Sequence, residues 1–130
     1  MRTLALIAVL VVLACEASQS QKPIVTEVSP QEFMSHRSGD FLILDVRTSQ
    51  EYAAGHVESA LNIPHDGLAD RLAEIQKYAA TPVLVYCQSG KRAGLAAETL
   101  AQAGFNDLHH LTGDMRAWNE AGLPVVKDGP

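Results

Sequence analysis

Two four-residue runs, Phe41-Leu42-Ile43-Leu44 and Val83-Leu84-Val85-Tyr86, are apolar throughout, and each runs straight into a residue of another kind, Asp45 in the first and Cys87 in the second. A strand wetted on one face alternates apolar and polar side chains, whereas a strand covered on both faces reads as a continuous apolar run. Both runs therefore predict central strands of a parallel sheet with helices packed on either side.

The segments around them fit that plan. Ile24 to Val28 alternates and predicts a first strand. Ser29-Pro30-Gln31-Glu32 is a capping box with proline at the first helical position, opening a short helix through about Arg37 that Ser38-Gly39-Asp40 ends. Thr48 and Glu51 repeat the capping-box pattern before a second short helix stopped by Gly55, and Ala60 to Ile63 predicts a brief strand ended by Pro64. Leu68, Leu72, Ile75 and Tyr78 recur at helical spacing and predict an amphipathic helix over 67–79. An alanine-rich helix follows Arg92 and ends at Gly104, Leu108 to Leu111 predicts the last strand, and a final helix surrounds Trp118. The fold class is α/β: a central parallel five-stranded sheet with helices on both faces, in one domain over residues 24–128.

The 130-residue chain leaves no room for a second core. Ten Lys plus Arg against fifteen Asp plus Glu give a net charge of −5, so no basic field exists to hold a phosphate backbone and nucleic acid is excluded as a partner. Any anion site must be local. Residues 1–20 read as an export signal: Arg2 supplies the positive charge, Leu4 to Ala14 is an apolar run of eleven residues, and Cys15 to Ser20 is small and polar. Eleven helical residues rise only about 16 Å, too little to span a bilayer. Cleavage falls between about residues 14 and 20, or Cys15 is acylated, since Val12-Leu13-Ala14-Cys15 is similar to a bacterial lipobox. Either route predicts an exported protein, in the bacterial periplasm, with no membrane span and with a lipid anchor at Cys15 on the second route. The mature domain then keeps one cysteine, Cys87, which cannot form an internal disulfide.

Cys87 falls just past the carboxyl end of a predicted central strand, where parallel α/β sheets place ligands. The loop Cys87-Gln88-Ser89-Gly90-Lys91-Arg92 leads into a helix, so its backbone amides and the helix dipole can converge on one point. With Lys91 and Arg92 adjacent, that environment favours a thiolate, and Cys87 is the predicted nucleophile, with Gln88 to Arg92 as the substrate-binding loop. Two related motifs fail. A phosphate-binding P-loop requires glycine at the position of Val85 and Ser or Thr at that of Arg92. A cysteine phosphatase cradle requires five residues between cysteine and arginine, whereas here four intervene and Ala93 occupies the arginine position. The shorter loop suits a terminal sulfur atom better than a phosphoryl group.

Three motifs in order give the sequence its resemblance. Leu44-Asp45-Val46-Arg47, Glu51-Tyr52 and the stretch Gly55 to Pro64, then Val83 to Arg92, then Leu111-Thr112-Gly113-Asp114 with Trp118 and Gly122-Leu123-Pro124-Val125, are similar to the signatures of single-domain rhodanese-family sulfurtransferases, most like the exported phage-shock type. Val57 replaces Ile, Ser59 a frequent Gly, and Asp114 the second glycine of the last motif; the expected consequence is confined to local turn geometry. The resemblance implies transfer of sulfur from thiosulfate to cyanide or a thiol through a persulfide on Cys87, stabilised by the amides of residues 88 to 92, with Lys91 and Arg92 binding the donor's oxyanion and with no metal or cofactor. A persulfide carrier or sulfur-relay partner with poor thiosulfate turnover is the alternative.

Asp45 and Arg47 flank a strand end within reach of substrate, but read as a structural ion pair or turn anchor that shapes the site instead of reacting. His56 is expected to hold a loop, Tyr86 and Trp118 to pack in the core, and His109 and His110 to face opposite sides of their strand, so that no metal is assigned to them. No long apolar patch outside the leader signals an obligate interface, which fits a monomer or small homo-oligomer.

Overall fold

The computed structural model describes residues 22–36, 39 and 41–128. The leader with Cys15, and the residues Arg37, Ser38 and Asp40 assigned to the end of the first helix, lie outside them. Along the chain the elements are β1 (Val25–Val28), α1 (Pro30–Ser35), β2 (Leu42–Asp45), α2 (Ser49–Ala54), β3 (Leu61–Asn62), β4 (Val83–Tyr86), α3 (Lys91–Gln102), β5 (Leu108–Leu111) and α4 (Asp114–Glu120). The five strands form one sheet in the order β1-β5-β4-β2-β3, every neighbouring pair parallel. This is the predicted α/β architecture.

The two apolar runs lie side by side at its centre, Leu42 opposite Val83 and Asp45 opposite Tyr86. Period-two alternation sends Leu42, Leu44, Val83, Val85 and Cys87 to one face, where Ala93, Ala96 and Leu100 of α3 cover them. Ile43, Leu84 and Tyr86 go to the other, against Phe33 of α1 and Met115 and Trp118 of α4. The Trp118 indole is a core group, its Nε1–H donating to the Pro124 carbonyl at 3.0 Å.

Both capping boxes form. Ser29 Oγ accepts from the Glu32 amide at 3.2 Å while Glu32 accepts from the Ser29 amide at 2.9 Å, and Thr48 and Glu51 make the same exchange at the start of α2. The segment 67–79 departs from expectation. It is two 3₁₀ stretches, Ala69–Glu74 and Gln76–Tyr78, instead of an α-helix. Leu72, Ile75 and Tyr78 are spaced by three, and in a 3₁₀ helix that spacing stacks them on one face. The i-to-i+3 bonds Ile75 N–H to Leu72 O and Tyr78 N–H to Ile75 O, at 3.1 and 2.9 Å, turn all three toward the core.

Candidate functional site

The strand ends converge on the loop that follows β4. Cys87 is 1% exposed, and the Gly90 N–H donates to its Sγ at 3.0 Å. Among the hydrogen bonds of the described residues this is the one donor on that sulfur, so the expected convergence of amides is represented here by Gly90 alone. Gly90 has φ +112, and a Cβ built on it would stand 3.1 Å from Asp114 Oδ2. The loop closes in this way only because the residue is glycine.

The first turn of α4 holds the loop backbone from beneath. The Met115 and Arg116 amides, which have no partner within their own helix, donate to the carbonyls of Cys87 and Gln88 at 3.0 and 3.2 Å. In return the Cys87 N–H donates to Asp114 Oδ1 at 2.9 Å. Asp114 is fully buried, and His110 Nε2 lies 3.0 and 3.1 Å from its two oxygens. The other ring nitrogen of His110 meets Glu27 at 2.8 Å. Hydrogen bonds to Asp114 outweigh the cost of burial, and with Glu27 they raise the His110 pKa to about 9.

Of the two loop cations, Lys91 is exposed and Arg92 is engaged. Arg92 makes a bidentate pair with Glu51, Nη1 to Oε1 at 2.7 Å and Nη2 to Oε2 at 3.0 Å. Those bonds hold the Glu51 carboxyl at about 2 against the opposing effect of burial, with Thr48 adding to them. The same Glu51 thus closes the α2 capping box and fixes Arg92. The Arg92 pKa is raised chiefly by Glu51, and a charge on Cys87 acts in the same direction, which places the guanidinium in the sulfur's electrostatic field.

Asp45 and Arg47 are the buried ion pair the sequence predicts. Arg47 Nη2 lies 2.7 Å from Asp45 Oδ2 and also donates to the Gly55 carbonyl at 2.8 Å. Asn62 donates to the carbonyls of both Asp45 and Arg47, locking the ends of β2 and β3 together. Burial opposes the Arg47 charge, but its bonds to Asp45 prevail and hold the guanidinium above its ordinary value. Tyr86 points inward as expected, its hydroxyl accepting from the Val57 amide at 3.1 Å, and burial pushes its phenol pKa far up. His56 holds its loop: Nδ1 donates to the Tyr52 carbonyl at 2.8 Å, the ring stacks on Tyr52 at 3.6 Å, and the backbone bridges to Val126.

His109 and His110 do face opposite sides, His109 meeting Asp107 and Phe41 while His110 turns toward the loop. A groove of about 550 Å³ runs beside α3, touching the loop at Gly90 and Lys91 and lined also by Glu27, Leu95 and His110. Among the described residues no group of three His, Cys, Asp or Glu side chains is arranged to hold a metal ion, and no helix is long and apolar enough to cross a membrane.

The departures Ser59 and Asp114 sit at φ +67 and +57, the left-handed backbone that the glycines they replace adopt freely. Ser59 is a matter of turn geometry, but Asp114 is more than that, since its side chain is the floor of the cysteine loop. The replacement of a motif glycine by a charged residue was the available signal. Glu27 and His110 carried none, and Glu51 was visible only as a helix cap.

The sequence matches the rhodanese-like domain family over residues 29–121. It is 38% identical over 87 residues to a sulfurtransferase of Allochromatium vinosum, across 67% of this chain and 79% of that protein. A protein of Synechocystis sp. named as uncharacterized is 34% identical over 101 residues; the match takes in 77% of this chain but only 55% of that relative's length. Among solved structures, a rhodanese-related protein from Thermoplasma volcanium superimposes with a TM-score of 0.70 at 26% identity, covering 79% of this chain and 99% of that one. A rhodanese-like domain protein from Staphylococcus aureus gives 0.69 at 26% identity, covering 81% and 100%.

Proposed function

The chain belongs to the rhodanese-like domain family, and from that premise we propose that it is a thiosulfate sulfurtransferase that carries a sulfane sulfur on Cys87. The observation that carries the reading is the placement of the Cys87 sulfur at the end of a central strand, 3.0 Å from the Gly90 amide and at the mouth of α3. In the first step the Cys87 thiolate attacks the outer sulfur of thiosulfate. The S–S bond to the sulfonate breaks, sulfite departs with the electron pair, and a Cys87 persulfide anion remains. In this reading the Gly90 N–H donates to sulfur-borne negative charge, and Lys91 and Arg92 receive the donor's oxyanion and the departing sulfite. In the second step cyanide or a thiolate attacks the outer sulfur, leaves as thiocyanate or a new persulfide, and restores the Cys87 thiolate.

A second reading has an observation of its own. Arg92 is already paired with Glu51, so one loop cation, Lys91, is left without that neutralisation, which weakens capture of a doubly charged donor. This favours a persulfide carrier loaded by another protein. Thiocyanate formation from thiosulfate and cyanide separates the two. The enzyme turns over repeatedly with ping-pong kinetics, whereas a carrier releases one equivalent and stops. Residues 1–20 support an exported, periplasmic protein, and the mass of the mature N-terminus from cells distinguishes plain cleavage from a lipid on Cys15.

A further inference from the structure

Asp114 occupies a strained backbone position, φ +57, that a side-chain-bearing residue rarely takes. Its carboxylate is buried against the loop, accepting from the Cys87 amide at 2.9 Å and facing His110 Nε2 at 3.0 and 3.1 Å. At its other nitrogen, Nδ1, His110 meets Glu27 at 2.8 and 3.0 Å, and Glu27 is further fixed by the Thr112 hydroxyl at 3.0 Å. An ionised carboxylate has no hydrogen to give, so a ring bonded to one at each nitrogen must donate from both and is an imidazolium.

The charges then fall in a row from the sheet edge to the loop: Glu27 negative on β1, His110 positive on β5, Asp114 negative at the start of α4, and beyond it the sulfur of Cys87. Lys22, Lys91 and Glu98 line the groove that His110 also borders. Without His110 the Asp114 carboxylate would be an uncompensated buried anion directly beneath a loop that must itself hold an anion. The consequence concerns Cys87, although His110 does not reach it.

Resting on the sulfur-transfer reading, we propose that His110 is a positioning residue, whose cation is clamped between Glu27 and Asp114, fixes the Asp114 carboxylate on the Cys87 amide and offsets its charge under the reactive sulfur. The raised pKa of His110, about 9, sets where the device switches off. Below it the cation is present, and above it Asp114 faces the loop uncompensated.

The test is the alkylation rate of Cys87 by iodoacetamide in the reduced protein, read at that residue by peptide mass and followed across the pH range on both sides of about 9. At neutral pH His110→Gln is expected to react roughly three- to tenfold more slowly than wild type. The two curves converge above the His110 titration, where the wild-type ring is neutral too. Glu27→Gln, at an exposed side chain, removes one anchor and moves that convergence to lower pH. It also keeps the proposal testable should His110→Gln fail to fold. A folded His110→Gln curve that superimposes on wild type, or a Glu27→Gln curve that is not displaced, overturns the proposal, because a merely structural network would lower stability without moving the pH profile. Alkylation needs no sulfur donor. Loss of thiocyanate formation with the displaced curves intact would therefore count against sulfur transfer and leave the His110 assignment standing.

Discussion

The ends of β2 and β4 stand side by side, both follow apolar runs, and both are buried, yet they have opposite chemical characters. At the end of β2 every strong acceptor direction of Asp45 is used: the Arg47 amide, Nε and Nη2 all donate to it, between 2.7 and 3.2 Å. At the end of β4 the Cys87 sulfur receives the Gly90 amide, while the rest of the holding is done through the Cys87 backbone. A saturated strand end is scaffold, and an undersaturated one held by its main chain can react without dismantling its support.

Breaking each end should therefore break a different property. Cys87→Ser is expected to abolish sulfur uptake while leaving the urea midpoint close to wild type, since the substitution is nearly isosteric and the backbone bonds remain. Conversely Arg47→Ala leaves Asp45 buried without its partner and should lower stability by roughly 3–5 kcal/mol, read from the denaturation midpoint. If Arg47→Ala left stability unchanged and eliminated uptake, the scaffold assignment of the β2 end would be wrong. Between these extremes lies Gly90→Ala. A side chain at φ +112, aimed 3.1 Å from Asp114 Oδ2, should cost about 1–3 kcal/mol and slow uptake at least tenfold in protein that still folds.

The smallest expected effect concerns the Arg92–Glu51 pair at the rim, where the side chains are 26% and 34% exposed. Glu51→Gln retains the capping box and should cost no more than about 1 kcal/mol at neutral pH. Its pH dependence carries a sign. The Glu51 pKa is lowered to about 2 in the folded protein, so its contribution is complete above the ordinary value of 4.5 and disappears as pH falls through about 2. Wild type and Glu51→Gln should thus converge in acid. His110 runs the other way: with a folded pKa of about 9 against 6.5, its stabilisation is complete below 6.5 and is lost as pH rises through about 9. The difference between wild type and His110→Gln in urea midpoint should narrow over that interval.

What could be read from the chain beforehand divides along physical lines. Uninterrupted apolar runs announced the central strands, and Ser29 and Thr48 announced two helix starts, because burial on both faces and helix capping are local demands written in adjacent residues. The position of Cys87 followed from the same logic, as did the Asp45–Arg47 pair two residues apart. The 3₁₀ segment after Leu68 is not distinguishable from an α-helix in the sequence, because spacings of three serve either geometry and only packing against the sheet decides between them. Arg92 with Glu51, and Glu27 with His110, are separated by 41 and 83 residues, contacts that topology alone brings together. Asp114 lay in plain view as a departure from a glycine motif, but its meaning depended on knowing that its carboxylate would point under the cysteine loop.

The central claim is that the β4 end takes a transferable sulfur atom from thiosulfate. It is tested most directly by the intact mass of the reduced protein before and after thiosulfate, and again after cyanide, in wild type and Cys87→Ser. The account predicts a gain of one sulfur atom on wild type, located on Cys87 by fragmentation, removed by cyanide and absent from Cys87→Ser. A sulfur gained equally by Cys87→Ser, or a folded wild-type protein that gains none from thiosulfate, would contradict it.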